Sequence, residues 1–250
     1  MEPADFYTGI VAELYDPLKS FTQQAHPYAR FIQEAGQPAL ELGCGDGEPL
    51  LALRRLGLDV EGVDSSEDML ARCRARADAE NLDVTLHRQK MEELDLPRRY
   101  RSIFLAGPTF NLLPDDDAAL TALGRIATHL QDGGTALIPL FLPDPTPAER
   151  FGRIRETTAP DGAVLRVSVV SEERDAAARI QRTILRYERH ADDGSTVLDR
   201  PWILHWHTQT GFREIADAAG LATVDVRDTD GAPVSSEAAE FTFLLRRRTD

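Results

Sequence analysis

The sequence is poor in cysteine. Its 250 residues include only Cys44 and Cys73, and two thiols at this separation provide neither a disulfide framework nor the ligand spacing of a zinc site. We therefore expect two buried, unreactive thiols and no metal centre. The fold has to depend on the packing of apolar side chains, which make up 42% of the residues, a proportion typical of a globular protein.

Acidic residues outnumber basic residues in the sequence. The chain has 28 lysines and arginines against 42 aspartates and glutamates, which gives a net charge of −14. Because such a surface repels phosphodiesters and anionic lipids on average, we expect no nucleic acid and no membrane as a partner. Residues 1–20 lack the basic and continuous apolar segments of a secretion signal, and no apolar run reaches the length of a membrane span. The expected location is the cytoplasm.

Short apolar runs alternate with helical patterns over the first part of the chain. The runs lie at residues 38–44, 58–64, 84–87, 102–107 and 135–142. This alternation predicts a mostly parallel sheet that is covered by helices on both faces. Because proline cannot donate a hydrogen bond to a neighbouring strand, Pro139 predicts a bulge or an early end in the last of these strands.

Two helix boundaries can be predicted from side-chain chemistry. Ser65 and Asp68 stand three residues apart, in the pattern of a capping box that opens a helix after the second strand. A later helix is expected to begin at about Asp115, where acidic residues favour a helix N-terminus. Gly133 and Gly134 are expected to end that helix.

The second part of the chain has a different pattern. Apolar and polar residues alternate from about residue 160, and Asp193 with Gly194 is typical of a hairpin turn. We predict an antiparallel meander inserted at about residues 145–207. Apolar runs at 223–228 and 240–247 then return the chain to the main sheet.

The most informative stretch is ELGCGDG at residues 41–47, where a buried strand runs into a loop with glycine at every second position. Glycine lets the backbone turn sharply and lie flat against a ligand. The pattern alone occurs in Rossmann proteins of many functions. Asp64, however, ends the next strand about twenty residues later, where a carboxylate can accept both hydroxyls of an adenosine ribose. Together the loop and the carboxylate predict an adenosine-containing ligand.

The charge of this loop separates two classes of such ligands. Glu41, Asp46 and Glu48 lie in or beside the loop, and Glu48 stands where the dinucleotide-binding fingerprint has its third glycine. Carboxylates at these positions repel a pyrophosphate and attract a ligand that carries an ammonium and a sulfonium. The sequence therefore favours S-adenosylmethionine over NAD.

These residues resemble a known family. ELGCGDG followed by GVDSSEDML is similar to motif I and to the acidic end of the second strand in class I S-adenosylmethionine-dependent methyltransferases. Residues 6–7 and 15–16 and the stretch HTQTGFREIADAAGL resemble sugar-amine and glycine-type N-methyltransferases. The resemblance implies an α/β fold: a Rossmann-like seven-stranded methyltransferase sheet with helices on both faces and an inserted antiparallel β meander. It implies a single domain over residues 1–250, with an N-terminal lid at about 1–34.

The resemblance also implies which residues bind the cofactor. The glycine loop and the residue that opens it would contact the methionine part, the acidic residue of the second strand would hold the ribose, and residues after the third strand would border the adenine. The assigned residues are Glu41, Gly43, Cys44, Gly45, Asp64, Ser65, Met69, Met91, Glu92, Leu105 and Ala106. Lys90 departs from the family, in which an acidic residue is common at that position.

Four residues are candidates for contacts with the methyl acceptor, which we expect to be a small molecule. They are Tyr15, Asn111, His205 and His207. Tyr15 is equally consistent with an aromatic anchor for an N-terminal helix. The two histidines share one face of a strand and include a candidate general base, although a hydrogen-bonded structural role is the alternative.

Three apolar residues share the opposite face of the strand that carries the histidines. They are Trp202, Leu204 and Trp206. We expect them to pack the insertion against the main sheet or against a second copy of the chain rather than to stack on a substrate. Packing against a second copy would give a homo-oligomer that assembles through the insertion.

The predicted activity is in-line transfer of a methyl group to an amine or a hydroxyl of a small molecule. Such a reaction mainly requires alignment, which alone supplies roughly 7–11 kcal/mol. No dedicated catalytic residue is therefore predicted, except a base for an acceptor that must lose a proton. Two alternatives stay open at this point: an NAD(P)-linked oxidoreductase on the same architecture, and a non-catalytic protein that binds S-adenosylmethionine and assembles with partners.

Overall fold

The fold is seen in a computed structural model that describes residues 6–19, 22–228 and 230–248. The first five residues of the expected N-terminal lid lie outside this description. The helices are α1 (Ile10–Leu18), α2 (Ala25–Ala35), α3 (Leu50–Arg55), α4 (Glu67–Ala79), α5 (Asp116–His129) and α6 (Gln209–Ala218). The strands are β1 (Ala39–Leu42), β2 (Val60–Asp64), β3 (Leu86–Arg88), β4 (Tyr100–Leu105), β5 (Leu130–Phe141), β6 (Arg155–Thr158), β7 (Val164–Asp175), β8 (Ile180–Ala191), β9 (Gly194–His205), β10 (Leu221–Arg227) and β11 (Glu240–Arg247).

Seven strands form the main sheet, in the order β10-β11-β5-β4-β1-β2-β3. The five strands from β5 to β3 are parallel, and β11 runs antiparallel to both of its neighbours. After β3 the chain crosses from one side of β1 to the other, so the strand order reverses between β1 and β4. The carboxyl ends of strands at such a reversal leave a crevice in which ligands bind.

Helices cover both faces of this sheet, as the alternation of runs predicts. One buried cluster joins α5 and α6 to the sheet through Leu123, Ile126 and Phe212. A second cluster joins α2, α3 and α4 to the other face and includes Ile32 and Leu70. Because the central strands are apolar on both sides, only this arrangement removes both faces from water. No helix among the described residues is both long and apolar enough to cross a membrane.

The predicted antiparallel meander is present as a separate four-stranded sheet in the order β6-β7-β8-β9. Its apolar face does not remain exposed. Leu165, Val167 and Tyr187 pack against Phe6 and Leu14, which belong to the N-terminal segment and to α1. The N-terminal segment is therefore held between the meander and the rest of the protein.

The helix α4 is capped by Ser66 and not, as the sequence pattern suggested, by Ser65. The side chain of Ser66 accepts a hydrogen bond from the backbone N–H of Met69. The cap is displaced by one residue because the carboxylate of Asp64 accepts from the backbone N–H of Ser66. This bond turns the chain one residue later than the capping-box pattern implied.

The irregularity of β5 lies at its glycines and not at its proline. The helix α5 ends at His129, and Gly133 and Gly134 lie inside β5, so the prediction that they end the helix is wrong. The register with β4 shifts beside them, and a Cβ on Gly134 would meet the carbonyl oxygens of Tyr100 and Arg101 at 3.1 Å. Pro139, in contrast, pairs with β11 without a shift and lies beyond the last residue of β5 that pairs with β4.

Candidate functional site

A large cavity of about 760 Å³ opens at the carboxyl ends of β1, β2 and β4. One half is bordered by the glycine loop and by Asp64, and the other half by the ends of β5, β9 and β11. The cavity therefore lies at the crevice where the strand order reverses. It is large enough for a drug-sized ligand.

The glycine loop forms one wall because its backbone turns back onto β2. The N–H groups of Gly43 and Cys44 both donate to the carbonyl of Val63, at 2.7 and 3.0 Å. Gly43 and Gly45 have φ values of 72° and 53°, and residues with a Cβ rarely adopt such values. Cys44 and Cys73 are free and buried, as expected.

Asp64 connects the loop to the next helix. Its Oδ2 accepts from the N–H of Gly45 and its Oδ1 accepts from the N–H of Ser66, both at 2.8 Å. Burial outweighs these hydrogen bonds and raises the pKa of the carboxyl group above its ordinary value. The backbone N–H of Ser65 is a third donor to this carboxylate. A carboxylate offers about four lone-pair positions, so Asp64 can still accept from a ligand in the cavity.

Glu41 is the most unusual group near the cavity. It is fully buried at the end of β1, and neither carboxylate oxygen has a hydrogen-bond partner among the described residues. Burial raises the pKa of this carboxyl well above its ordinary value, and the neighbouring Asp64 and Asp46 add to the effect. An unpartnered buried carboxyl is costly, and a cation beside it would satisfy it. The residue fits the ammonium of the predicted cofactor.

The other acidic residues of the loop are neutralised by cations. Asp46 is buried and accepts from Arg76 at 2.5 Å, while Glu48 accepts from Lys19 at 2.5 Å. The sequence predicts attraction for a cationic ligand from all three acids of the loop. Two of them are paired within the protein, so Glu41 is the acid of the three that has no partner among the described residues.

The N-terminal segment covers the cavity. The hydroxyl of Ser66 donates to the carbonyl of Tyr7 at 2.5 Å, and the N–H of Gly9 donates to Asp68 at 2.6 Å. The rings of Tyr7 and Tyr15 meet edge to face, with centroids 5.5 Å apart, and both border the cavity. Tyr15 is therefore at the cavity, as the sequence suggested.

Most of the residues that the sequence assigned to a cofactor lie together around the first half of the cavity. They are Gly43, Cys44, Gly45, Asp64, Ser65, Met69, Met91, Glu92 and Ala106. Leu105 and Glu41 do not border the cavity. Glu41 is fully buried within β1, so a ligand reaches it only through the wall of the cavity. Leu105 is the last residue of β4 and its side chain is fully buried in the core. The neighbouring Gly107, which the sequence argument included only as part of a segment, does border it.

The second half of the cavity is mainly apolar. Trp202 and Leu204 of β9 face Phe141 of β5 and Phe241 of β11, and Glu240 adds a carboxylate. Trp202 packs against the cluster that the N-terminal segment shares with the meander. Both Trp202 and Leu204 also line the cavity, which the expectation of packing did not include. Trp206 does pack as expected, and the guanidinium of Arg174 lies 4.4 Å from its ring centre.

Three candidate acceptor contacts lie outside the cavity. Asn111 is fully buried, and its amide donates to the carbonyls of Phe141 and His205, so it has a structural role. Successive side chains of a strand point to opposite sides. Because Leu204 faces the cavity, His205 faces away from it, and His207 packs beside Phe110 and Phe212. The suggestion that these residues contact the acceptor is therefore corrected.

Known proteins resemble this chain in sequence and in fold. Residues 39–134 match the family model described as a methyltransferase domain. The dTDP-3-amino-3,6-dideoxy-alpha-D-glucopyranose N,N-dimethyltransferase of Streptomyces fradiae is 32% identical over 57% of this chain and 58% of that enzyme. The cypemycin N-terminal methyltransferase of a Streptomyces species is 26% identical over 99% of this chain and 100% of that enzyme.

The structural comparison extends over nearly the whole chain. The CcbJ methyltransferase from Streptomyces caelestis superposes with a TM-score of 0.78, at 23% identity, over 98% of this chain and 99% of that one. In sequence, the chain spans about half of the length of the first curated relatives, 49% of one and 58% of another.

The matched segment contains the glycine loop, Asp64, Met69, Met91 and Ala106, which are the residues that gather around the first half of the cavity. The predicted fold class is confirmed by the superposition. Neither of the two alternatives, the NAD(P)-linked oxidoreductase and the non-catalytic assembly protein, is favoured by these matches. The predicted resemblance to S-adenosylmethionine-dependent methyltransferases is supported: residues 39–134 match a methyltransferase domain, and this chain is similar in sequence to enzymes named as methyltransferases.

Proposed function

We propose that the chain transfers the methyl group of S-adenosylmethionine to a nitrogen atom of a small amine. The observation that carries this proposal is the continuity of the cavity, which joins the Asp64 end to the Trp202 end without a wall between them. One half suits the cofactor and the other suits an acceptor of mixed apolar and polar character. We propose that residues 1–250 form a single methyltransferase domain, with a lid at about 1–34 and an insertion at about 145–207.

In the first half, the chain's own groups supply the contacts that the cofactor requires. Glu41 takes the ammonium, the backbone of Gly43 and Gly45 lies along the methionine part, and Asp64 accepts the ribose hydroxyls. The adenine lies against Ser65, Met69, Met91 and Glu92. Ala106 and Gly107 border the methionine part from the end of β4, in place of the buried Leu105.

The choice of nitrogen follows from the groups that border the second half. None of the described residues that line the cavity is a histidine. Burial raises the pKa of Tyr7 and Tyr15 and that of Tyr28 to about 12, so these hydroxyls stay protonated near neutral pH and do not act as bases. A hydroxyl acceptor needs a base. Among the described residues of the second half, the candidate is the exposed carboxylate of Glu240, which water stabilises in its ionised form. An amine that arrives unprotonated has its own lone pair and needs no such base. The relatives named as N-methyltransferases support the same choice.

Catalysis then consists mainly of alignment. S-adenosylmethionine supplies a methyl carbon, which bonds to the acceptor nitrogen as the sulfur–carbon bond breaks and its electron pair passes to sulfur. The protein holds the two reactants in line and excludes water, with the lid of Tyr7 and Tyr15 on one side and Trp202 on the other. Positioning of this kind supplies roughly 7–11 kcal/mol. The nitrogen releases its proton to solvent.

The activity is tested by incubating the purified chain with S-adenosylmethionine and three classes of acceptor: nucleotide-linked amino sugars, peptides with a free N-terminus, and phenols. We expect S-adenosylhomocysteine and a methylated product, both measured by mass spectrometry, with an amine-bearing class. Turnover with the phenols alone would contradict nitrogen transfer. Tight cofactor binding without turnover on any class would contradict the proposed activity.

Asp64→Ala is expected to weaken the binding of S-adenosylhomocysteine by about 1.5–3 kcal/mol, the range for hydrogen bonds to a charged group. Isothermal titration calorimetry measures this change. Asp59→Asn is the control, because Asp59 stands just before β2, at the end remote from the cavity, and pairs with Arg98. Equal affinities for the two variants would show that Asp64 does not hold the ribose.

Gly45→Val is expected to abolish binding. Valine is strained at the φ of 53° at this position, and its side chain would point toward Met69, whose Cε lies 3.4 Å from an ideal Cβ. The matched control is Gly57→Val, which is equally strained at a φ of 77° but has open space around its Cβ. Circular dichroism checks that both variants fold. A folded Gly45→Val protein with the affinity of the control would refute the assignment of the loop.

Cofactor binding is expected to release a proton from Glu41. The raised pKa keeps this carboxyl protonated in the free protein at pH values where a glutamate is ordinarily ionised, and a bound ammonium favours the ionised form. Affinity should therefore rise with pH until Glu41 ionises in the free protein. Isothermal titration calorimetry of S-adenosylhomocysteine binding in buffers of different ionisation enthalpy gives the number of protons released. The titrations are done at pH values below the pKa of the ligand's own amino group, so that this group stays protonated.

Glu41→Gln should bind more weakly and release no proton. The exposed pair of Glu80 and Arg55 offers a control, because Glu80→Gln should leave both quantities unchanged. Proton release that persists in Glu41→Gln would assign it to another group.

Trp202→Ala is expected to raise the KM for the acceptor roughly 2- to 13-fold, which corresponds to about 0.5–1.5 kcal/mol of aromatic contact. The affinity for S-adenosylhomocysteine should not change, because Trp202 borders the other half of the cavity. Val197→Ala on the same strand is the control, since Val197 is exposed and does not line the cavity. A change in cofactor affinity with no change in acceptor KM would contradict the division of the cavity.

A further inference from the structure

Three side chains with metal-binding chemistry converge outside the cavity. Asp116 is the first residue of α5, His205 is the last residue of β9, and His207 follows two residues later. One ligand atom from each lies within 4.8 Å of the others. The sequence gives no sign of this cluster, because only the fold brings α5 beside the end of β9.

The geometry of the cluster matches a tetrahedral metal site. Oδ1 of Asp116 lies 3.6 Å from Nε2 of His205 and 3.5 Å from Nδ1 of His207. Zinc bonds to imidazole nitrogen and carboxylate oxygen are roughly 2.0–2.1 Å long, and tetrahedral ligands at that length lie about 3.3–3.4 Å apart. The two distances from Asp116 are within a few tenths of an ångström of this value, and the two histidine nitrogens lie within 4.8 Å of each other.

Two of the three ligand atoms are buried and without partners. The side chains of His205 and His207 are 2% and 0% exposed. In the described part of the chain, no hydrogen-bond partner is found for Oδ1 of Asp116 or for either ring nitrogen of His207, whereas Nε2 of His205 lies 3.4 Å from Nη2 of Arg179. Buried polar atoms are paired in the great majority of cases. The unpartnered atoms of Asp116 and His207, which lie beside each other, therefore call for a ligand.

The cluster is open to solvent on one side. Asp116 is half-exposed, so a water molecule can reach a fourth position.

Arg179 orients the carboxylate. Its Nη2 donates to Oδ2 of Asp116, which leaves Oδ1 directed at the histidines, and it lies 3.4 Å from Nε2 of His205. Groups outside the ligand set commonly fix ligating carboxylates in this way. Among the described residues, this guanidinium is also the only cation in direct contact with the cluster. The experiment therefore has to distinguish a bound metal ion from Arg179 as the partner of Asp116.

We propose that Asp116, His205 and His207 bind one divalent transition-metal ion of the zinc type at a structural site separate from the cofactor cavity. The ion joins the start of α5 to the segment that connects β9 with α6. It therefore clamps the meander to the main sheet. None of its three ligands borders the cavity, so the ion does not contact the reactants of methyl transfer.

The test uses the full chain without added histidines, stripped of metal by chelation. Zinc is titrated in competition with a chromogenic chelator, and cobalt is added separately to record its visible absorption. We expect one equivalent of zinc per chain, a tetrahedral cobalt spectrum and a higher melting temperature with zinc. His205→Gln and Asp116→Asn should each lower zinc affinity roughly tenfold or more and remove the thermal shift.

His190→Gln is the matched control, because His190 contacts Glu188 and Ser195 on the meander and is remote from the cluster. It should bind zinc as the unaltered chain does. If the His205→Gln variant fails to fold, the Asp116→Asn variant tests the proposal, because Asp116 is half-exposed. If the unaltered chain binds no zinc, Arg179 is the cation of the cluster and the proposal is overturned. Equal zinc binding by all variants would also overturn it. S-adenosylhomocysteine affinity should be the same with and without zinc.

Discussion

The carboxylate of Asp64 is the group on which the arrangement of the site depends. One of its oxygens holds the N–H of Gly45 and the other holds the N–H of Ser66. The first bond fixes the glycine loop against the end of β2, and the second sets the start of α4. Ser66 in turn donates to the carbonyl of Tyr7, so the covering N-terminal segment is positioned through the same residue. A single acidic side chain thus organises the loop, a helix and the lid.

Charge has a second organising role. The protein neutralises Asp46 with Arg76 and Glu48 with Lys19, and it leaves the buried Glu41 without a partner among the described residues. A general excess of negative charge near the loop would attract any cation. One unpartnered carboxyl at a defined depth instead recognises an ammonium at a defined place, and we infer that this distinguishes S-adenosylmethionine from other adenosine derivatives.

Local patterns account for what could be predicted from the sequence. The glycine loop and Asp64 are separated by one helix and one strand, so a motif of short range was sufficient to predict their meeting. The same holds for Met69, which follows Asp64 by little more than one helical turn. The capping residue was displaced by one position, from Ser65 to Ser66, because a side-chain bond of Asp64 competes with the cap.

Contacts between distant segments account for what could not be predicted. Strand alternation showed that Leu204 and His205 face opposite ways, but it could not show which side meets the cavity, since that depends on how β9 crosses the end of the main sheet. The pairing of Glu48 with Lys19 depends on where α1 lies in the fold. It could not be predicted from the sequence for the same reason. The sequence indicated packing for Trp202 and an acceptor contact for His207. In the fold, Trp202 packs and also lines the cavity, whereas His207 lies outside it.

The most direct test of the central claim is a crystal structure of the chain with S-adenosylhomocysteine. The account predicts the ligand's ammonium within hydrogen-bond distance of the Glu41 carboxylate and both ribose hydroxyls on the two oxygens of Asp64. The account would be contradicted by a ligand bound elsewhere, or by one bound in the cavity with Glu41 still unpartnered and Asp64 in contact only with its own backbone neighbours.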